Sequence, residues 1–471
     1  MHPISRSTRP RSGAPFLFCV LLALPCTLLG TSALALEAPA PEVLWDIGTA
    51  PSAERIERDI TRLVSFGTRH TLSETESDTR GIGAARRWIL AEFNRISAAC
   101  GDCLEIMIQR ETVSGERRIP EPTEVVNVIA ILRGQTEPNR FVMMSGDIDS
   151  RISDPLNATD DAPGANDNAS GMAGVLEAAR VLSQYRFRAS IIFAGLSGEE
   201  QGLFGGRHLA KFIGEAGWDL QGVLNNDMIG NIAGLNGVID NTSARVFSEG
   251  TRAVETAEEA RRRRFTGGEV DSPSRNLARF VHAHARYVPN LDLKMIYRLD
   301  RFGRGGHHRP FNEAGYPGVR IMETNEHYER QHQDLRTENG VTYGDTIDFV
   351  DFDYAAKLTA LNAVVLAAMA WAPAPPADVT IEGAVQADTH LAWVAKSPAE
   401  VAGYSVHWRD TTAPVWEQQR FVGDVTAFTL ENLVIDNYFF GVSARSPEGF
   451  DSPVVFPGPA GAFWPQAASD E

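Results

Sequence analysis

The chain has 471 residues, of which 43% are hydrophobic and 22% charged. Those proportions exclude a collagen-like rod, a long coiled coil and a wholly disordered chain, and the length suits two or three domains. Asp and Glu number 61 against 44 Lys and Arg, a net charge of −17. That balance excludes a general nucleic-acid surface, because phosphate binding needs clustered positive charge.

Residues 1–35 read as a signal peptide. Arg6, Arg9 and Arg11 form a basic start, residues 16–29 an apolar run, and Ala33-Leu34-Ala35 a small-x-small cleavage site. The apolar run is short for a membrane span. The expectation is therefore a secreted or periplasmic protein, cleaved near Ala35, with no stable membrane insertion afterwards. Cys19 and Cys26 leave with this segment, while Cys100 and Cys103 remain. In an oxidising compartment they are expected to form a small-loop disulfide. A redox-active Cys-x-x-Cys is the sharper reading, but no thioredoxin-like frame surrounds it.

After a Pro-rich lead-in over 37–52, helices are predicted over 56–64 and 82–96. In the second, Ile82, Ala85, Ile89, Phe93 and Ile96 recur at spacings of three and four. Strands follow over 125–132 and 141–145, a helix over 169–182, and a continuously apolar strand over 189–196, the pattern of a strand buried on both faces. Residues 222–226 lead into Asp227, and an Ala-rich helix over 355–370 closes the segment. This alternation predicts an α/β fold with a mostly parallel sheet flanked by helices. Glu and Arg over 249–264 read as a solvated helix face rather than an anion site. A Pro-rich break over 371–377 marks a domain boundary between a 36–372 domain and a C-terminal all-β sandwich over 378–460. There Trp393, Tyr404, Val406, Leu430, Leu433, Tyr438 and Val442 resemble a fibronectin type III module, which makes the aromatic residues core rather than a binding strip.

The chemistry concentrates in acids that follow strands: Asp147, Asp167, the pair Glu199-Glu200, and Asp227. Sites in open α/β sheets form at the carboxyl ends of strands. Clustered carboxylates repel unless divalent cations neutralise them. Adjacent glutamates suit a division of labour in which one binds metal and the other holds the attacking water. No Gly-x-Ser-x-Gly elbow precedes a helix, and the Gly-rich stretches lack the Lys of a P-loop.

The motifs Asp161-Ala-Pro-Gly-Ala-Asn-Asp167-Asn-Ala-Ser-Gly171, Ser197-Gly-Glu-Glu-Gln-Gly-Leu203 and Asn226-Asp-Met-Ile-Gly230 resemble the M28 family of zinc metallopeptidases, which includes secreted bacterial aminopeptidases. The resemblance runs from Phe66-Gly-Thr-Arg-His70 to the helix ending near Ala370. It implies that Asp167 bridges two zinc ions, that Glu200 and Asp227 each bind one, and that Glu199 is the general base. His332 matches the last ligand, ahead of His327. A cis peptide is expected at Asp167–Asn168. Asp149 and His308 are expected to support the ligands from behind.

Two positions depart from the pattern. The family's first ligand is His, whereas Asp147 stands here. That anion weakens the expected zinc preference and leaves the second metal site weak or empty. His307 replaces an acid before His308. No counterpart is found for the Tyr that some relatives use to stabilise the tetrahedral intermediate. His70, His208, His282 and His284 are read as packing or surface residues. The expected function is a secreted exopeptidase, an aminopeptidase acting on peptide or protein substrates. The alternatives are a carboxypeptidase, a glutaminyl-cyclase-like relative, or a binding protein that lost catalysis through Asp147.

Overall fold

The computed structural model describes residues 39–458; the expected signal peptide lies outside them. An eight-stranded sheet is built from β1 (Leu104–Val113), β2 (Thr123–Leu132), β3 (Glu137–Asp147), β4 (Ala189–Leu196), β5 (Asp219–Asn226), β6 (Ser243–Ser248), β7 (Asp292–Ile296) and β8 (Gly318–Glu323). Its order is β1-β2-β4-β3-β5-β8-β6-β7. The centre, β4-β3-β5-β8, is parallel. The flanks are mixed, because β1 and β2 form a hairpin that pairs antiparallel to β4, and β6 runs antiparallel to β8. The mostly parallel sheet of the prediction is thus confined to the centre, where crossover helices cover both faces.

The period-two geometry of the central strands divides two cores. Val128, Ala130, Val142, Met144, Ile191 and Phe193 point into a large core shared with helices Ala53–Val64, Gly81–Ala99, Gly171–Leu182 and Phe352–Trp371. Ile129, Ile131, Phe141, Met143, Ile192 and Ala194 point the other way, onto helices Phe204–Glu215 and His308–Glu313. Helix Phe352–Trp371 is long and apolar enough to span a bilayer, but 89% of its apolar window is buried in this core. Protein covers it on all sides, which is why it has no polar stripe. The charged segment before residue 264 forms helix Ala257–Thr266, which buries none of its residues and starts with a Thr256–Glu259 capping box. Cys100 and Cys103 are joined by a disulfide after helix Gly81–Ala99.

A small hairpin of β9 (Arg336–Glu338) and β10 (Val341–Tyr343) precedes the closing helix. Beyond that helix come β11 (Ala377–Glu382), β12 (Thr389–Val394), β13 (Gly403–Asp410), β14 (Gln418–Gly423), β15 (Ala427–Leu430) and β16 (Tyr438–Arg445). They form two three-stranded antiparallel sheets, β11-β12-β15 and β14-β13-β16. Leu391, Trp393, Tyr404, Val406, Phe440 and Val442 fill the core between them. The Pro-rich junction is not an exposed spacer, since residues 371–376 are buried. The module is also locked by charge. Asp271, before helix Pro273–His284, accepts hydrogen bonds from Arg279 at 2.8 Å and from Arg409 of β13 at 2.7 Å, and all three side chains are at most 2% exposed. On the far side Arg188 pairs with Glu448 at 2.8 Å and with Glu400.

Candidate metal centre

The parallel strands end together and deliver the predicted acids to one edge. Asp147 closes β3, Glu199 and Glu200 open the turn after β4, and Asp227 follows β5. The turn before the glutamates requires glycine, because Gly198 has φ +73°. Asp149 then fixes both glutamates from behind, accepting from the backbone N–H of Glu199 at 3.3 Å and of Glu200 at 3.1 Å. Asp167 lies in an irregular helical turn over Ala165–Ser170, and the Asp167–Asn168 bond is cis. Asp345, before the closing helix, accepts from the backbone N–H groups of Asn166 and Asp167 at 2.9 and 2.6 Å and so sets that turn.

Asp167, Glu200 and His332 meet, with one ligand atom from each inside a 4.8 Å cluster. His332 Nε2 lies 2.8 Å from Glu200 Oε1 and 3.0 Å from Asp167 Oδ2. His332 holds this position in the left-handed region, at φ +53°, a conformation that a non-glycine residue keeps only when its surroundings hold it there. Arg151 donates to Glu200 Oε2 at 2.7 Å, and its Nη2 lies 2.7 Å from His332 Nδ1. An arginine only donates, so Nδ1 accepts and the ring proton sits on Nε2, between the two carboxylates. A cation bound by the three residues takes the place of that proton. Burial works against ionising Asp167 and Glu200. His332 beside them, with Gln331 at Asp167 and Arg151 at Glu200, nevertheless holds both below the usual carboxylate range. Two carboxylates and one imidazole suit zinc, and three protein ligands leave room for water and substrate. The residues therefore fit one zinc ion.

Glu199 lines the same cleft. Burial, and then the charges of Glu200, Asp227, Asp147 and Asp167, push its carboxyl well above the usual range.

Asp147 and Asp227 do not join this cluster. Asp147 Oδ1 lies 2.5 Å from His307 Nδ1, and its Oδ2 accepts from Asn168 Nδ2 at 2.8 Å. The two departures from the family pattern therefore touch each other: an acid and an imidazole have exchanged places. Burial pushes the Asp147 carboxyl up to about 8 and the His307 imidazole down to about 4, each toward its uncharged form. Gly206 makes room for it, since a Cβ there would lie 2.7 Å from the His307 ring. Asp227 Oδ2 is held by Arg320 Nη2 at 2.8 Å, while Arg320 Nη1 reaches Asp300 Oδ2 at 3.0 Å. Burial, only partly opposed by Arg320, leaves Asp227 well above the usual range. Its Oδ1 is buried without a hydrogen-bond partner.

His308 donates to the Leu299 carbonyl at 2.8 Å and lies 3.6 Å from Asp300. It supports the Arg320 side of the cleft rather than a zinc ligand. His327 stays outside the ligand cluster. His70 packs behind the site, 3.0 Å from the Pro155 carbonyl, and His284 contacts the Phe280 carbonyl of its own helix at 2.8 Å. Sequence reasoning missed Arg320, Asp300, Arg151 and Asp345. Only Arg320 left a signal, as a single charge inside the apolar stretch Gly-Val-Arg-Ile-Met, which demands a buried partner.

The cleft over these residues encloses about 540 Å³ and is lined by Arg118, Arg151, Arg207, Arg301, Arg304 and Arg309. Among the described residues Arg118 and Arg207 have no carboxylate partner, whereas Arg309 pairs with Glu313 and Arg301 with Glu326.

Comparison with known proteins agrees with this centre. Residues 127–353 match the model of peptidase family M28. A probable zinc metalloprotease of Leptosphaeria maculans is 45% identical over 429 residues, spanning 90% of this chain and 99% of the relative. A match of that length extends past residue 372 into the C-terminal sheets. A probable zinc metalloprotease of Pyrenophora teres f. teres is 44% identical, over 87% of this chain and 85% of the relative. Among solved structures, LapA of Legionella pneumophila superposes with a TM-score of 0.51 at 18% identity, covering 70% of this chain and 76% of its own, a likeness of fold alone. With its motifs in order, three candidate ligands brought together in one cleft and relatives matched over most of their length, the chain belongs to peptidase family M28 and is a zinc metallopeptidase.

Proposed function

We propose that this peptidase is an exported aminopeptidase that favours peptides with acidic side chains near the scissile bond. The observation that carries the aminopeptidase reading is Asp227, a residue of the cleft lining whose Oδ1 is buried without a hydrogen-bond partner. A buried acceptor without a donor is costly, and the α-ammonium group of a substrate N-terminus supplies that donor. The six arginines of the lining support the acidic preference; Arg207, and Arg118, which donates to the Glu200 backbone carbonyl, have no carboxylate partner among the described residues.

A zinc ion at Asp167, Glu200 and His332 supplies polarisation of the scissile carbonyl and acidification of the attacking water. Glu199 then takes a proton from that water and delivers it to the leaving amine. Asp149 keeps Glu199 and Glu200 pointing to different tasks through their backbone N–H groups. We infer export, to the periplasm or beyond, from residues 1–35. The C-terminal module we read as fibronectin type III-like.

A second reading has its own support. The same unpaired arginines suit a C-terminal carboxylate, as a carboxypeptidase needs. The deciding experiment offers Glu-, Asp-, Leu- and Lys-anilides beside N-acetylated peptides with free C-termini, before and after chelation and zinc return. Chelator-sensitive release from the anilides, fastest for Glu and Asp, is expected. Cleavage of the N-acetylated peptides alone would establish the carboxypeptidase. No cleavage by folded, zinc-loaded protein would leave the binding-protein reading.

A further inference from the structure

The acids expected to hold a second metal ion are already engaged by the protein. Both oxygens of Asp147 are taken, by His307 and by Asn168. His307 Nε2 is buried without a partner, but the ring lies against Gly206 and joins no cluster of three ligand atoms among the described residues. Asp227 faces a guanidinium instead. Arg320 is completely buried, and it bridges Asp227 to Asp300 while donating to the Gly305 carbonyl at 2.7 Å. Its position follows from the sheet. β5 and β8 are parallel neighbours with Asn225 opposite Arg320, so the side chain rises beside the chain as it runs on to Asp227. Its neighbours Val319 and Ile321 point into the large core, which leaves Arg320 on the other face.

We propose that Arg320 is the second cation of this centre, built into β8, and that the chain binds a single zinc ion at Asp167, Glu200 and His332. A planar, permanently charged guanidinium can satisfy two carboxylates at once, which a lysine ammonium does less well. It takes Asp227 Oδ2 without an exchangeable ion, so that Oδ1 alone is left, one acceptor atom rather than a carboxylate open to a metal. The hydrogen bonds of Asp147 to His307 and Asn168 engage the other candidate ligand. The proposal rests on the zinc site but not on the direction of peptide cleavage.

The test is metal stoichiometry. Metal-free protein is titrated calorimetrically with zinc, and the zinc content is checked by elemental analysis after gel filtration. One tightly bound zinc per chain is expected. Two would overturn the proposal while leaving the metallopeptidase reading intact, and none would overturn both. The combined Arg320→Met, Asp147→His and His307→Asp variant is expected to take up a second zinc. If it folds and still holds one, Arg320 is not the barrier and the proposal fails. Because that variant changes three buried residues, Asp227→Asn serves as a second probe. Its zinc content and chelator-competition midpoint should equal those of the parent, and loss of zinc would make Asp227 a ligand and sink the idea.

Discussion

Asp167 and Glu200 converge on one nitrogen of His332, whereas Asp227 meets a guanidinium and Asp147 meets an imidazole. Both halves of the cleft contain buried acids at strand ends. One half keeps its ligand atoms aimed at a common point, ready for an external cation. The other engages its acids internally, apart from Asp227 Oδ1. A count of carboxylates therefore does not count metal ions. What matters is whether the buried anion already has a cation or a proton supplied by the fold.

The sharpest way to break this comparison is to remove one ligand from each half. His332→Ala should abolish zinc binding and reduce peptidase activity to background, while Asp147→Asn should leave zinc content unchanged. Equal zinc loss in both would erase the distinction. Next in size is Glu199→Gln, which should lower kcat by roughly 10²–10⁴-fold, the usual contribution of a positioned acid–base group, with zinc retained. Retained activity would remove Glu199 from the mechanism.

The comparison extends to a buried cluster away from the zinc site. Asp271→Ala leaves Arg279 and Arg409 buried without their carboxylate, and should cost about 3–5 kcal/mol of stability, read by denaturant unfolding. A loss under about 1 kcal/mol would place the cluster among solvated pairs.

The smallest effect is in pH. Burial pushes Asp345 up to about 7, and Glu323 and Glu249 each to about 8, from 3.8 for Asp and 4.5 for Glu. The folded chain then binds more protons than the unfolded chain above pH 4.5, so this stability is present in acid and lost as pH rises through 7 and 8. Burial pushes His307, His308, His284 and His407 down from 6.5 to about 4, which works oppositely and only below pH 6.5. Between pH 6.5 and 8 these four histidines no longer oppose the carboxyls, and the metal-free protein should melt at progressively lower temperature. A rising melting temperature across that window would contradict the assignment of these acids as buried and protonated.

The α/β class, the closing helix and the C-terminal all-β module are legible in the sequence alone, as are the candidate residues Asp167, Glu199, Glu200 and His332. These are legible because each depends on local rules. Apolar periodicity defines the elements, and a strand that ends in a glycine turn presents the next side chain at the sheet's edge. The exchange of acid and imidazole was visible as two separate anomalies, at 147 and 307. That they form one pair was not, because they stand 160 positions apart in the chain. Arg320 could be seen as an odd charge in an apolar strand, but its partner was decided by strand order, which sets β8 beside β5 rather than beside its neighbours in sequence. Asp345 and Arg151 act through contacts of the same long range. The Pro-rich segment after Trp371 has the composition of a spacer, yet it is buried, because Arg188, Arg279 and Arg409 draw the two parts of the molecule together. Local propensity reports what a segment can form. Which buried charge finds which partner depends on the packed sheet, where ionisation without a partner is too costly to persist.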